Sequence, residues 1–180
     1  MINDLSLDDI RTALKRPLPG LAAQIKLAPE YRIASLKAEP PAHARPAGVL
    51  ILLYHNAGEW YFPLMKRVED GLVHSGQISL PGGSQEAGES LRETALREAS
   101  EEIGVTCDEV IGELSTIYIP PSNFLVTPTI GCMDHRPEFR LDSREVGISI
   151  APYLCHVLPS SEEIATAATK SIFDRSNGSP

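Results

Sequence analysis

Apolar residues recur with a helical period near the start of the chain. Leu7, Ile10 and Leu14 are spaced three and four residues apart, and Pro17 ends the pattern. Such spacing places the three side chains on one face of a helix. A short helix is therefore predicted over about residues 7–15.

A longer helical pattern lies in the middle of the chain. No glycine or proline occurs from Glu89 to Ile103, and Gly104 follows directly, as is common after a helix. Four apolar residues fall on one face with a period near 3.6, namely Leu91, Ala95, Ala99 and Ile103. This segment gives the strongest helix prediction in the sequence.

Continuous apolar runs of strand length predict a sheet. A hairpin is expected from the run 49–55, the turn residues 56–59 and the run 60–67. Pro63 within the second run predicts an edge strand or a bulge, because proline has no N–H to donate. Two further strands are predicted at 112–120 and 124–133.

The remaining segments are proline-rich or terminal. Prolines punctuate residues 17–48, so this part is expected to be mostly irregular and to wrap a core. A final helix is predicted over 160–173 with a serine cap, and residues 175–180 are expected to be disordered.

Composition narrows the class of protein. The 180 residues are sufficient for one domain with a sizeable core, and a single domain over 1–180 is expected. A net charge of −8 disfavours nucleic-acid partners. No apolar stretch approaches 18 residues and the N-terminus does not resemble a signal peptide, so no membrane partner is expected. Three widely spaced cysteines without a CxxC pair fit a reducing, cytoplasmic location.

Clustered glutamates carry the candidate chemistry. Glu98, Glu101 and Glu102 are three and four residues apart on the predicted helix, so their carboxylates are expected within a few ångströms of one another. Hard divalent cations such as Mg²⁺ or Mn²⁺ prefer carboxylate oxygens and keep waters that a diphosphate can replace. The cluster therefore predicts a metal site, against the alternative of an ordinary solvated helix face.

Residues around the cluster are predicted to support it. The Pro-Gly-Gly turn at 81–83 lets the backbone approach closely, so the Gly83 carbonyl is a candidate metal ligand. Arg97 can reach Glu93 one turn back, and Glu89 lies two turns back. These three side chains are expected to brace the loop and helix.

The spacing of these residues resembles the Nudix box. The pattern is glycine, five residues, glutamate, seven residues, Arg-Glu, an aliphatic residue, any residue, Glu-Glu, any residue, glycine and an aliphatic residue. The matching positions are Gly83, Glu89, Arg97, Glu98, Ala99, Glu101, Glu102, Gly104 and Val105. The chain thus resembles the Nudix hydrolases, which cleave a diphosphate linked to a second moiety.

The resemblance implies a fold, a cofactor and residue roles. It implies an α/β (α+β) fold, a Nudix-type αβα sandwich with a mixed β-sheet around a box at 83–105, and leaves the tail 148–180 without an alignment. Glu98, Glu101 and Glu102 would be the metal-binding and catalytic carboxylates, with Mg²⁺ or Mn²⁺ as cofactor. One of them, or a loop glutamate, would be the base for the attacking water. Homodimers are frequent in this superfamily.

Upstream residues resemble the coenzyme A pyrophosphatase branch. Its additional signature matches at Arg67, Gly76 and the turn 81–83, whereas Leu72 stands where the branch has a second arginine and Leu80 replaces a phenylalanine. Coenzyme A carries a 3'-phosphate besides its diphosphate, and guanidinium groups bind such anions well. Arg67 is therefore a candidate for substrate binding, with an exposed charge at a strand end as the alternative.

Several isolated residues are further candidates for the site. Glu145 lies in a predicted loop where many Nudix enzymes place a catalytic glutamate, and His74 could contact a phosphate. Trp60, Tyr118 and Phe124 could stack on an adenine ring, but aromatic residues on apolar strands more often belong to the core.

The leading hypothesis is a metal-dependent diphosphatase for a nucleotide-linked small molecule. Coenzyme A or acyl-coenzyme A is the first substrate to consider, giving 4'-phosphopantetheine and adenosine 3',5'-bisphosphate. ADP-ribose, dinucleotides or nucleoside triphosphates are the alternative substrates. A Nudix-fold module that binds a nucleotide without cleaving it is the alternative of another class.

Overall fold

A mixed β-sheet forms the centre of the protein. The structure is a computed structural model and describes residues 6–28, 30–68, 77–144, 146 and 151–154. The helices are α1 (Leu7–Leu14), α2 (Leu21–Leu27), α3 (Glu30–Leu36) and α4 (Leu91–Ile103). The strands are β1 (Arg45–Asn56), β2 (Glu59–Lys66), β3 (Ile78–Ser79), β4 (Gly82–Ser84), β5 (Glu109–Glu113), β6 (Ile117–Ile119), β7 (Phe124–Met133) and β8 (Ala151–Leu154).

The sheet has the order β3-β2-β1-β7-β5. β4 pairs with β1, β6 with β7 and β8 with β2. The β1 and β7 strands run parallel from Arg45↔Phe124 to Tyr54↔Met133, and the other pairs are antiparallel. The sheet is therefore mixed, as the resemblance to the Nudix hydrolases implied.

Alternating residues of β1 face two separate cores. Val49, Ile51 and Leu53 pack in the core that α1 and α3 cover, whereas Leu50 and Leu52 pack against α4. A strand buried on both faces has a continuous apolar run, which explains the sequence of β1. Helices on both sides of the sheet confirm the αβα sandwich.

The prediction of an irregular segment at 17–48 is wrong. Two helices, α2 and α3, lie within it, and β1 begins at Arg45. The prolines stand beside these helices and not inside them, so they mark helix boundaries without preventing helices. Burial of Ala23 and Leu36 then stabilises two short helices whose propensity alone would be marginal.

The predicted strand at 112–120 is two strands. β5 and β6 both pair with β7, and residues 114–116 separate them. β2 as a whole is not an edge strand, since it pairs with β1 and with β3 and β8. Pro63 itself lies in register opposite Pro152 of β8 and has no partner among the described β1–β2 pairs, so the predicted edge position holds locally. The described β1–β2 pairs end at Tyr54↔Tyr61, so the ladder on that side does not need an N–H from Pro63.

The other predicted elements are found near their expected positions. The helices at 7–15 and 89–103, the hairpin and the strand at 124–133 are confirmed by α1, α4, β1–β2 and β7. The helix predicted at 160–173 and the tail at 175–180 lie outside the described residues. Within the described part of the chain, no helix combines the length and hydropathy needed to cross a membrane.

Candidate active site

Local sequence signals fix both ends of α4. Ser90 caps the N-terminus through the Glu93 N–H, and the Glu93 carboxylate accepts from the Ser90 N–H and hydroxyl. These bonds lower the pKa of Glu93. Gly104 ends the helix in the left-handed region with φ 69°. The Glu93 carboxylate is engaged in this cap. Arg97 therefore contacts Glu89, Glu98 and Glu101 in place of the predicted Glu93.

Three glycines bring β1, β4 and α4 into close contact. A Cβ atom on Gly48 would lie 2.2 Å from the Leu91 carbonyl oxygen, and one on Gly82 would lie 2.4 Å from the Gly48 carbonyl oxygen. A Cβ on Gly83 would lie 2.3 Å from Glu98 Oε1. Gly48 was not singled out from the sequence, although a glycine within a buried strand often marks a close backbone approach.

Glu102 is the most deeply buried of the α4 glutamates. Its side chain is 1% exposed, and the Gly82 N–H donates to Oε2 at 2.8 Å. Nη1 of Arg67 lies 3.7 Å from Oε1. Arg67 follows β2, and its side chain is 35% exposed, so its guanidinium lies between the buried carboxylate and solvent.

Glu98 and Glu101 share one guanidinium nitrogen. Nη1 of Arg97 donates to Glu98 Oε1 at 3.0 Å and to Glu101 Oε2 at 3.1 Å. The Glu98 side chain is 16% exposed and the Glu101 side chain 58% exposed. Arg97 therefore holds one carboxylate under β4 and one near solvent.

Glu89 and Arg97 join the loop to the helix. Nε and Nη2 of Arg97 donate to the two carboxylate oxygens of Glu89 at 3.1 and 2.9 Å, and Nη2 also reaches the Ser84 carbonyl. Glu89 further accepts from the Glu86 N–H and the Thr94 hydroxyl. Arg97 is the main reason why the pKa of Glu89 is lowered to about 2. The predicted bracing contacts of Glu89 and Arg97 are thus present.

The carboxylates are not gathered around one point. Among the described residues, the α4 glutamates do not bring three ligand oxygens within 4.8 Å of one another, since their side chains turn towards Arg67 and Arg97. Their carboxylate oxygens nevertheless suit a hard divalent cation. Two of these carboxylates, those of Glu98 and Glu102, also lie against consecutive glycines of one strand, Gly83 and Gly82. The site has a net negative charge, because two guanidinium groups, those of Arg67 and Arg97, face four carboxylates, those of Glu89, Glu98, Glu101 and Glu102.

Two predicted candidates cannot be placed. His74 and Glu145 lie outside the described residues. The aromatic candidates have structural contacts: Trp60 packs edge-on against His55, the Tyr118 hydroxyl donates to Asn123, and Phe124 lies 4.1 Å from the Arg45 guanidinium.

A second group of potential ligands was not foreseen. Asp108, Asp134 and His135 bring one ligand atom each within 4.8 Å, at the ends of β5 and β7. The Asp134 carboxylate raises the pKa of His135. All three residues are exposed, and their separation along the sequence gave no motif.

Comparison with known proteins identifies a family whose domain includes this site. The NUDIX domain model matches residues 44–141. Nudix hydrolase 3 of Caenorhabditis elegans is 43% identical over 85 residues, covering 46% of this chain and 35% of that protein. The peroxisomal coenzyme A diphosphatase ndx-8 of the same organism is 36% identical over 106 residues, covering 56% of this chain and 45% of that protein.

A third relative aligns over a longer part of the chain. The uncharacterized Nudix hydrolase NudL of Pectobacterium atrosepticum is 32% identical over 130 residues, covering 68% of this chain and 61% of that protein. The chain therefore spans about a third to three-fifths of the length of these curated relatives.

Solved structures share the fold. RenU, a Nudix hydrolase from M. smegmatis, aligns with a TM-score of 0.54 at 15% identity over 76% of this chain and 90% of that one. An Ap4A hydrolase of C. elegans aligns with a TM-score of 0.51 at 17% identity over 72% and 96%. The NUDIX match covers more than half of the chain and contains α4, the glycine turn and both arginines, so this protein belongs to the NUDIX domain family.

Proposed function

We propose that this protein is a metal-dependent diphosphatase that cleaves the diphosphate of a nucleotide-linked small molecule. The observation that carries the proposal is the position of Glu98 and Glu102 against Gly83 and Gly82, with Arg97 holding Glu98 and Glu101. Membership of the NUDIX family supports it. Mg²⁺ and Mn²⁺ are the proposed cofactors.

In the proposed site, the cation and protein side chains bind the same diphosphate. Glu98, Glu101 and Glu102 would hold the cation, with the Gly83 carbonyl as a further candidate ligand. When bound, the cation would neutralise phosphate charge and lower the pKa of a ligated water. Arg67 is the proposed clamp for a phosphate oxygen, since its partly exposed guanidinium lies beside Glu102. One of these glutamates or Glu145 is the proposed base for the attacking water, and His74 is a further proposed phosphate contact.

Coenzyme A or acyl-coenzyme A is our first proposal for the substrate. The name of the relative ndx-8 supports it, as does the position of Arg67 in the site. The expected products are 4'-phosphopantetheine and adenosine 3',5'-bisphosphate. ADP-ribose, dinucleotides and nucleoside triphosphates are the alternatives, because Leu72 removes one arginine that could contact the 3'-phosphate.

A substrate panel tests this choice. Coenzyme A, dephospho-coenzyme A, ADP-ribose, NADH and ATP would be incubated with Mg²⁺ and with Mn²⁺, and the products separated by chromatography. The first two substrates differ only in the 3'-phosphate, so they form a matched pair. We expect coenzyme A to have the highest kcat/KM of the panel. A preference for dephospho-coenzyme A or for a different diphosphate would reject the coenzyme A proposal.

A binding module without catalysis is the competing function. Such a module would bind a panel nucleotide without metal-dependent product formation. The intact set of glutamates on α4 favours an enzyme, because nucleotide binding alone does not need buried carboxylates beside a phosphate.

Partners and location remain proposals. A small anionic nucleotide is the proposed ligand, with no nucleic acid or membrane partner, and a single domain with a cytoplasmic location is kept from the sequence. The name ndx-8 places that relative in the peroxisome, so localisation of the tagged protein is the direct test. Light scattering would test the homodimer expected from the superfamily.

A further inference from the structure

Two arginines divide the carboxylates of the candidate site between them. Arg97 contacts Glu89, Glu98 and Glu101, whereas Arg67 lies beside Glu102. Arg97 is held by several bonds at 2.9–3.2 Å, including one to the Ser84 carbonyl. Arg67 stands 3.7 Å from Glu102 Oε1, which is beyond hydrogen-bond distance. The attraction at this contact is therefore mainly Coulombic, and this contact by itself does not fix the orientation of the guanidinium.

Burial explains why Glu102 needs a cation nearby. A carboxylate that is 1% exposed loses most of its hydration, and a hydrogen bond such as the one from the Gly82 N–H replaces part of it. A positive charge within 4 Å favours the ionised form. Arg67 supplies such a charge from the side of the solvent, since its own side chain is 35% exposed.

We propose that Arg67 is an exchangeable counterion of Glu102, displaced by the divalent cation and thereby made available to the diphosphate. The inference rests on the proposed function, because it assumes that Glu102 is a metal ligand. The two positive charges compete for one buried carboxylate, so each weakens the binding of the other. Arg67 is thus a substrate-binding residue whose release from Glu102 couples metal loading to substrate binding.

This coupling has an unusual consequence for a substitution. A variant that merely damages the site would bind metal more weakly. Removing a competing counterion does the opposite, because the charge that Mn²⁺ must displace from Glu102 is gone. Arg67→Gln should therefore bind Mn²⁺ about tenfold more tightly than the wild type in the absence of substrate. Its KM for the nucleotide should rise, because the phosphate loses a guanidinium donor.

The test is a titration of the purified protein with Mn²⁺, following free Mn²⁺ by electron paramagnetic resonance. Arg67→Lys retains the charge and should stay near the wild-type affinity. Arg92→Gln removes the same charge from the exposed ion pair between Arg92 of α4 and Glu113 of β5, and it is the matched control, expected within about threefold of wild type. Circular dichroism would verify that each variant is folded.

Two results would overturn the inference, and they are distinguishable. If Arg67→Gln binds Mn²⁺ no more tightly than Arg92→Gln, while Glu102→Gln binds it weakly, the exchange is rejected and the metal site stands. If Glu102→Gln binds Mn²⁺ as well as the wild type does, Glu102 is not a ligand, and the metal assignment of the proposed function fails together with the exchange.

Discussion

At the scale of single residues, Gly83 and Gly48 shape the site because they lack a Cβ atom. Gly83 leaves room for the Glu98 carboxylate, where a Cβ atom would lie 2.3–2.7 Å from its carboxylate atoms. Gly48 instead leaves room for the backbone of α4. A Cβ atom added to Gly48 would lie 2.2 Å from the Leu91 carbonyl oxygen and 2.9 Å from the Ala95 nitrogen. The end of a side chain can turn away at little cost, whereas helix backbone cannot.

Gly83→Ala should therefore damage the site more than the fold. We expect kcat/KM to fall by about tenfold to a hundredfold because Glu98 is displaced, with the free energy of unfolding changed by less than about 1 kcal/mol. Gly48→Ala is the contrasting variant and should destabilise the protein by about 3 kcal/mol. Kinetics and urea denaturation of both variants are the measurements; wild-type kinetics for Gly83→Ala would contradict the account.

A buried hydroxyl in β7 gives an independent residue-scale prediction. Thr129 is fully buried, and its Oγ1 has no hydrogen-bond partner among the described residues. Thr129→Val replaces that hydroxyl with a methyl group of similar size, so we expect equal stability or a gain of about 1 kcal/mol. Thr94→Val is the control, since the Thr94 hydroxyl donates to Glu89 and Ser90, and it should lose stability. A clear loss on Thr129→Val would show that its hydroxyl does have a partner.

At the scale of elements, the sequence predicts α4 well because its signals are local. The capping box at Ser90, the apolar face and Gly104 all lie within or beside the segment itself. The sequence does not predict α2 and α3, which depend on burial against the sheet. It also misplaced the partner of Arg97, because the choice of Glu89 over Glu93 follows from how the preceding loop folds back.

The loop-to-helix contact predicts an acid-sensitive stability. The pKa of Glu89 is lowered from 4.5 to about 2, mainly by Arg97. A lowered pKa means that its stabilisation is complete above about pH 4.5 and is lost as the pH falls towards 2. Glu89→Gln should therefore lose less stability than the wild type between pH 5 and pH 3, as measured by urea denaturation. Equal losses in the two proteins would mean that this ion pair does not stabilise the fold.

At the scale of the whole molecule, the α/β class and the position of the box followed from the sequence, but the arrangement of charges in the site did not. Spacing on a helix predicts that Glu98, Glu101 and Glu102 share a side. It cannot predict that Arg67, 35 residues before Glu102, reaches the buried carboxylate from the end of β2. Nor can it show that Arg97 contacts Glu98 and Glu101 whereas Arg67 lies beside Glu102.

The most direct test of the central claim is metal-dependent hydrolysis by matched glutamate variants on the best substrate of the panel. Glu102→Gln retains an oxygen that can accept from the Gly82 N–H, so it should fold normally. We expect the wild type and the exposed control Glu113→Gln to show equal turnover that requires Mg²⁺ or Mn²⁺. Glu98→Gln and Glu102→Gln should fall by about a hundredfold or more. Undiminished turnover in these two variants, or cleavage without a divalent cation, would contradict the account.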